Sequence, residues 1–410
     1  LSWVRPDSAE TVSKRALDGY RGEAAFVSFA TSKNEKVRVK ISSSFISMDQ
    51  ARKNMDRETP GWDFAKARAR TRNIWSKAFA KIDVEGSEYD KTIFYTAMQR
   101  ALLLPRHLTA GGYYRSPYDG KVHKGDMYTD YSMWDTFRAE HPLLIFLEPA
   151  KVSEMIRALL NAYDEGGWIP KFPNPGYSNV MFATHGDSIV AEAYIKGIKG
   201  FNAEKAYAAV LKDATTPGDR GYEARDGILD YIKLGYVPSD MYSEPVASTM
   251  EYAYDDYCVA SMAKALGKEE DYKKYIGRAL NYRNVLDPET RLIRGRKENG
   301  AWKDPGDHGI SVWASGTERD LKIYKWNYSL FAPQDPQGLI NFYGGNDAFV
   351  KFLDDFFADN LYYVGDEFSM HAPYLYNFAG APWKTQKQTR DLIGYYFATG
   401  PGGMCGNDDT

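Results

Sequence analysis

Carboxylates set among aromatic rings recur in four short segments of this 410-residue chain, and each could do chemistry on a polar, ring-shaped molecule. The densest runs from Asp126 through Tyr128, Asp130 and Tyr131 to Ser132-Met133-Trp134-Asp135-Thr136-Phe137-Arg138. Ser132 has the chemistry of a helix cap, which would put Trp134, Asp135 and Arg138 in the first two turns, at the mouth of a helix. Asp135 and Arg138, three apart, read either as a surface ion pair or as a charged pair beside a Trp that meets a ligand. In Ser248-Thr249-Met250-Glu251-Tyr252-Ala253-Tyr254-Asp255-Asp256-Tyr257, Glu251 and Asp255 lie four apart on one helix face. Such carboxylates repel unless a cation, a base or a sugar hydroxyl lies between them, or unless they offset the dipole at a helix start. Between Tyr363 and His371, Asp366 and Glu367 follow Gly365 as adjacent hard oxygen donors, suited to calcium although without EF-hand spacing. Gly406-Asn407-Asp408-Asp409 is a second Gly-led acidic turn.

Other chemistries lack their residues. The six histidines are scattered without HExxH spacing, and neither a G-x-S-x-G elbow nor a phosphate-binding loop occurs. Cys258 and Cys405 show neither zinc-ligand spacing nor a disulfide framework. A net charge of −3 gives no electrostatic reason to expect nucleic acid or an anionic membrane. No run approaches roughly 20 apolar residues, so no membrane-spanning helix is expected. What remains is carboxylate chemistry among aromatics, in a chain where Phe, Trp and Tyr make up 15%. That is the composition of a glycosidase site, flat rings covering sugar C–H faces while carboxylates bind hydroxyls. The same aromatics equally suit the core of a large helical protein.

The elements that must position these groups are mostly helices. Two strands are expected near the start, Ala25 to Ala30 and Val37 to Ile41, joined as a hairpin through Ser32-Lys33-Asn34. From about Gly61 the period changes. Val152, Met155, Ile156, Leu159, Leu160 and Tyr163 draw one apolar stripe along a helix that stops at Gly166-Gly167. Similar patterns predict helices over 62–83, 90–104, 132–147, 186–199, 202–213, 218–233, 248–266, 269–286, 335–358 and 385–398. Successive helices without interleaved strands or a fixed-period repeat favour a closed toroid of inner and outer helices.

Five strings, in this order, resemble glycoside hydrolase family 92: FYTAMQRALLLPR (94–106), YTDYSMWDTFRAEHPLL (128–144), STMEYAYDDYCVASMAKALGK (248–268), YVGDEFSMHAPYLYNFAGAPWKTQ (363–386) and GNDD (406–409). The resemblance implies a mainly α fold, an (α/α)6 barrel over 58–410, with 1–57 the C-terminal part of an N-terminal β-sandwich plus linker. It also implies that the sandwich and the barrel continue beyond the two ends of this chain. It implies a calcium-dependent, inverting exo-α-mannosidase acting on mannose-containing glycans outside the cytoplasm. By motif position the general base falls on Asp408 or Asp409 and calcium on Asp366 and Glu367, where the family usually has Asn-Glu. Substrate contacts fall on Trp134, Asp135, Arg138, Glu251, Lys322, Trp326, His371 and Trp383.

The chain departs from the family pattern where the general acid belongs. Four residues before the Trp of Trp326-Asn327-Tyr328 stands Lys322, and the nearest upstream carboxylates are Asp320 and Glu318, of which Glu318 is the candidate acid. A family Pro-His-Asp reads Pro333-Gln334-Asp335. Two further readings stay open: hydrolysis of a mannose-1-phosphodiester, whose leaving group needs little protonation, and glycan binding without catalysis.

Overall fold

The computed structural model describes residues 9–15, 24–130, 132–304, 318–365 and 367–405. The chain divides into two compact units, residues 1–75 and 76–410. In the smaller unit, β1 (Ala9–Arg15) and β2 (Ala24–Phe29) form an antiparallel pair with Val12 opposite Val27. The strand expected at 25–30 is therefore present, but its partner lies upstream rather than at 37–41. That stretch is not a strand, and Ile41 is 90% exposed. Period-two alternation makes a segment able to be a strand; only a neighbour with free backbone groups makes it one. Here the stretch is tied by side chains, Arg38 donating to the Trp62 carbonyl at 2.8 Å and Lys40 to that of Thr59 at 3.0 Å. The helix α1 (Met48–Glu58) follows, capped by the Ser47 hydroxyl, which accepts from the Gln50 amide at 3.1 Å. Next comes α2 (Phe64–Phe79).

The larger unit continues with α3 (Glu88–Ala101) and two small antiparallel pairs, β3 (Arg106–His107) with β6 (Tyr128–Thr129) and β4 (Tyr113–Arg115) with β5 (Val122–Lys124). Helices follow: α4 (Met133–Thr136), α5 (Glu140–Leu147), α6 (Pro149–Gly166), α7 (Gly186–Ile195), α8 (Ala203–Asp213), α9 (Ile228–Leu234), α10 (Pro245–Ala265) and α11 (Glu269–Arg278). After them come α12 (Glu318–Ser329), α13 (Pro336–Tyr343), α14 (Asn346–Ala358), α15 (Leu375–Phe378) and α16 (Pro382–Tyr396). Helix makes up 53% of the structure and strand 5%, so the chain is mainly α. Its helices pair in sequence, α5 with α6, α7 with α8, α10 with α11, α13 with α14 and α15 with α16, as the hairpins of an (α/α)6 barrel.

The stripe on α6 explains its place. Val152, Met155, Ile156, Leu159 and Leu160 are all buried, each worth roughly 1.5–3 kcal/mol of transfer free energy, while the opposite face is polar. Helix α10 differs: it is buried on nearly every side and touches α7, α8 and α11. Glu251, Asp255 and Asp256 sit on its fully buried part, so they must find partners inside the protein.

Some expected helices are interrupted. The segment 132–147 breaks between α4 and α5 at residues 137–139, and only the end of 218–233 is helical, as α9. The segment 335–358 divides into α13 and α14 because Gly344 and Gly345 adopt φ of 98° and 104°, which ends one helix and starts the next. Helix α12 was not among the expected segments.

Candidate active site

Beneath the centre of the larger unit lies a connected set of buried charges. The backbone turns sharply before α7, with Ala183 at φ 66°, and this aims the Thr184 amide at Asp255 Oδ2, 3.0 Å away. Gly186 then brings the start of α7 against its neighbours; a Cβ there would meet Ile169 Cγ2 at 2.4 Å. The turn inserts His185 between the two carboxylates of α10. Its Nε2 is 3.2 Å from Glu251 Oε2 and its Nδ1 is 2.8 Å from Asp255 Oδ1, with all three side chains fully buried. Burial disfavours the imidazolium, but Asp255 and Glu251 outweigh it and raise His185 to about 9. Burial pushes both carboxylates up, but Arg138 and then His185 hold Glu251 below the usual range, and His185 with Arg225 does the same for Asp255. Of the readings open for the Glu251–Asp255 pair, a base between them is the one found. The pair lies inside α10 rather than at its start.

The set extends through Arg225, also fully buried, which donates to Asp187 Oδ2 at 2.9 Å and to Asp256 Oδ1 at 2.8 Å. Arg278 grips the same Asp256 with two bonds, at 2.8 and 3.0 Å. Asp187 is raised to about 7, chiefly by burial, with Arg225 opposing. Burial and Asp187 push Asp213 well above the ordinary range, so these two carboxyls do not both ionise at neutral pH.

Arg138 connects the set to a cavity. Its Nη2 donates to Glu251 Oε1 at 2.8 Å, an oxygen that also accepts from the Tyr328 hydroxyl at 3.1 Å, and its Nε donates to the Trp134 carbonyl at 3.0 Å. The guanidinium is boxed by the rings of Trp134, Phe137 and Phe331, 4.4, 4.6 and 4.9 Å from its carbon. Above it opens a cavity of about 470 Å³, within the size range of small-molecule sites. Phe137, Tyr254, Phe331, Tyr362 and Tyr374 supply aromatic wall; Arg138, Glu192, Glu367 and His371 supply polar groups. His371 donates through Nε2 to the Leu330 carbonyl at 2.8 Å, and burial lowers it to about 4, so it is neutral at physiological pH.

Arg138, Glu367 and His371 therefore meet at one cavity. Trp134 lies under the Arg138 guanidinium and Glu251 one layer below, while Asp135 is buried without lining the cavity. Three expected contact residues are elsewhere. Lys322 donates to Asp359 at 2.9 Å on an exposed surface, Trp326 stacks on Phe352 at 4.4 Å, and Trp383 is 63% exposed at the start of α16. None of the three lines the cavity. Asp366, Asp408, Asp409 and the side chain of Glu318 lie outside the described residues. For calcium, Glu367 is a fitting donor, a carboxylate buried at the cavity wall in a short helical turn (Glu367–Ser369). Sequence reasoning missed His185, Asp187 and Arg225. A signal existed for the first: polar Thr184-His185-Gly186-Asp187 opens an otherwise apolar helix.

Residues 50–410 match the glycosyl hydrolase family 92 catalytic domain. The chain is 30% identical to an uncharacterised secreted glycosidase of Arthroderma benhamiae, over 95% of this chain and 51% of that protein. Its fold superposes on a family 92 inverting mannosidase of Bacteroides thetaiotaomicron VPI-5482 with a TM-score of 0.85 and 32% identity, covering 94% of this chain and 56% of that one. A second family 92 enzyme, an α-mannosidase of Bacteroides thetaiotaomicron, gives 0.80 and 34%, covering 89% and 49%. The structure of that enzyme with mannoimidazole bound gives 0.79 and 31%, covering 89% and 50%. The chain thus spans about half the length of the relatives it matches. On the match over residues 50–410, the chain belongs to glycosyl hydrolase family 92.

Proposed function

We propose that this protein is a calcium-dependent, inverting exo-α-mannosidase that removes terminal α-linked mannose from glycans outside the cytoplasm. The observation that carries the reading is the cavity over Arg138, where a charged donor and the Glu367 carboxylate face an aromatic wall. Rings of that kind cover the C–H face of a sugar, while guanidinium and carboxylate groups bind its hydroxyls. Two relatives are described as mannosidases, one solved with mannoimidazole, which supports mannose as the sugar. No helix among the described residues is long and apolar enough to cross a membrane.

Inversion needs one carboxylate to activate water and one carboxylic acid to protonate the leaving oxygen, roughly 6.5–9.5 Å apart across the sugar. In this reading Asp408 or Asp409 takes the proton from water as its oxygen bonds to C1. Glu318 gives a proton to the glycosidic oxygen as the C1–O bond breaks. Asp366 and Glu367 would hold calcium, which when bound would draw sugar hydroxyls and favour a flattened ring. Arg138, fixed from below by Glu251 and from the sides by three rings, orients the substrate.

The test is mannose release from α-linked manno-oligosaccharides by the purified protein before and after exhaustive chelation, with calcium added back. Release should fall on chelation, return with calcium, and drop by orders of magnitude in Asp409→Asn at unchanged melting temperature. Undiminished release after chelation contradicts the calcium part. Faster cleavage of mannosyl phosphates than of mannosides would reassign the substrate.

A further inference from the structure

A second site lies at the β4–β5 hairpin, away from the cavity. The turn at 116–121 is built around Ser116, whose hydroxyl accepts the amides of Tyr118 and Asp119 at 3.0 and 3.2 Å. It projects Asp119 back along β5. Tyr114 and His123 face each other across the hairpin and therefore share a face, their rings 5.7 Å apart and nearly parallel. That face meets the C-terminal end of α6, where the Tyr114 hydroxyl donates to Glu165 Oε1. Three side chains from two elements converge as a result. His123 Nε2 is 3.0 and 3.1 Å from the two oxygens of Asp119, and His123 Nδ1 is 3.9 Å from Glu165 Oε1. One ligand atom from each residue lies within 4.8 Å of the others.

We propose that Asp119, His123 and Glu165 form a binding site for a divalent transition-metal ion of the zinc class, which clamps the hairpin to the end of α6. Two observations carry it. The first is the donor set, one imidazole and two carboxylates, which leaves room for water at the ion and matches three-ligand zinc sites better than all-oxygen calcium sites. A tetrahedral ion about 2.1 Å from each ligand separates them by about 3.4 Å, so His123 Nε2 and Asp119, 3.0 and 3.1 Å apart, open by a few tenths of an ångström to admit it. With the ion at Nε2, Glu165, whose ligand oxygen lies within 4.8 Å of the other two ligand atoms, reaches it by an adjustment of about 1–2 Å in its side chain and the hairpin. The second is Glu165 itself. Its side chain is 9% exposed, and its Oε2 is buried without a hydrogen-bond partner among the described residues. A carboxylate oxygen left in that state is unfavourable unless a cation reaches it. Lys121, whose ammonium lies 3.7 Å from Asp119, is mostly in solvent. This inference is independent of the mannosidase reading, because none of its residues lines the cavity.

The experiment titrates zinc chloride into the purified, chelator-stripped protein by calorimetry, with melting curves taken in parallel. One zinc per chain should bind at micromolar dissociation constant or tighter, raise the melting temperature by several degrees, and resist displacement by equimolar calcium. Cobalt in its place should give visible absorption bands of a low-coordinate site. His123→Gln and Asp119→Asn, both at partly exposed positions (33% and 19% of each side chain), should each weaken binding at least tenfold without lowering the zinc-free melting temperature appreciably. Glu165→Gln should weaken it too. A stoichiometry well below one, or zinc binding of unchanged strength in His123→Gln, overturns the proposal.

Discussion

His185 and His123 each have a carboxylate near both ring nitrogens, at 3.2 and 2.8 Å for His185 and at 3.0 and 3.9 Å for His123, and they differ most in where the fold puts them. His185 is sealed between Glu251 and Asp255 with nothing exposed, and its charge is part of the structure. His123 sits between Asp119 and Glu165 about one third exposed, where water screens the same pair of attractions. In low dielectric the group cannot change protonation without leaving neighbours uncompensated. At the surface such a group can take up a cation at little expense. The first arrangement suits a fixed foundation under Arg138; the second suits a reversible ligand.

Substitution makes the contrast measurable. His185→Gln leaves two buried carboxylates facing each other and should destabilise the protein by about 3–5 kcal/mol at pH 6, read by chemical denaturation. The sign with pH follows from a folded pKa raised from 6.5 to about 9. The stability His185 contributes is complete below about pH 6.5 and is lost as pH rises through 9, so wild type and variant should converge there. If the gap stays constant from pH 6 to 9.5, His185 is not charged in the fold.

His141 gives the opposite sign and a smaller effect. Fully buried on α5 and lowered by burial from 6.5 to about 4, it is held neutral. The unfolded chain takes up the proton first, so the stability of wild type relative to His141→Gln should fall as pH drops from 6.5 through 4. The loss is up to about 3 kcal/mol. A relative stability that rises over that window contradicts the assignment. The smallest effect is at His123: without metal, His123→Gln should change stability by about 0–1 kcal/mol, as for exposed ion pairs. A loss comparable to that of His185→Gln would erase the distinction between the two sites.

Much of this was legible in the sequence, and the gaps have physical causes. The stripe on α6 needs only local periodicity, and it emerged with its expected end at Gly167. The like-charge argument on Glu251 and Asp255 left a group between them or a helix start as alternatives and could not choose, since His185 is brought there by a turn 66 residues upstream of Glu251 in sequence. Arg225, Asp187 and Asp256 form a network only in three dimensions. Lys322 and Trp326 lie four apart and so share a face of α12. The core contacts of that helix come from Tyr324, Asn327 and Tyr328, which leaves Lys322 and Trp326 to Asp359 and Phe352. Position relative to a motif says nothing about which face a residue occupies. The stretch 37–41 shows the same limit for strands, because alternation is local and a pairing partner is not.

In the proposed function the cavity over Arg138 binds the sugar, and the buried network fixes that guanidinium in place. Arg138→Lys keeps a positive charge on Glu251 but loses the planar fork held among Trp134, Phe137 and Phe331. The most direct measurement is kcat/KM for an α-mannoside in wild type and Arg138→Lys, with melting temperatures matched to within a few degrees. A loss of about 100-fold or more is expected, as when a positioning group is displaced by an ångström. Activity within about threefold of wild type in a folded Arg138→Lys protein would contradict it.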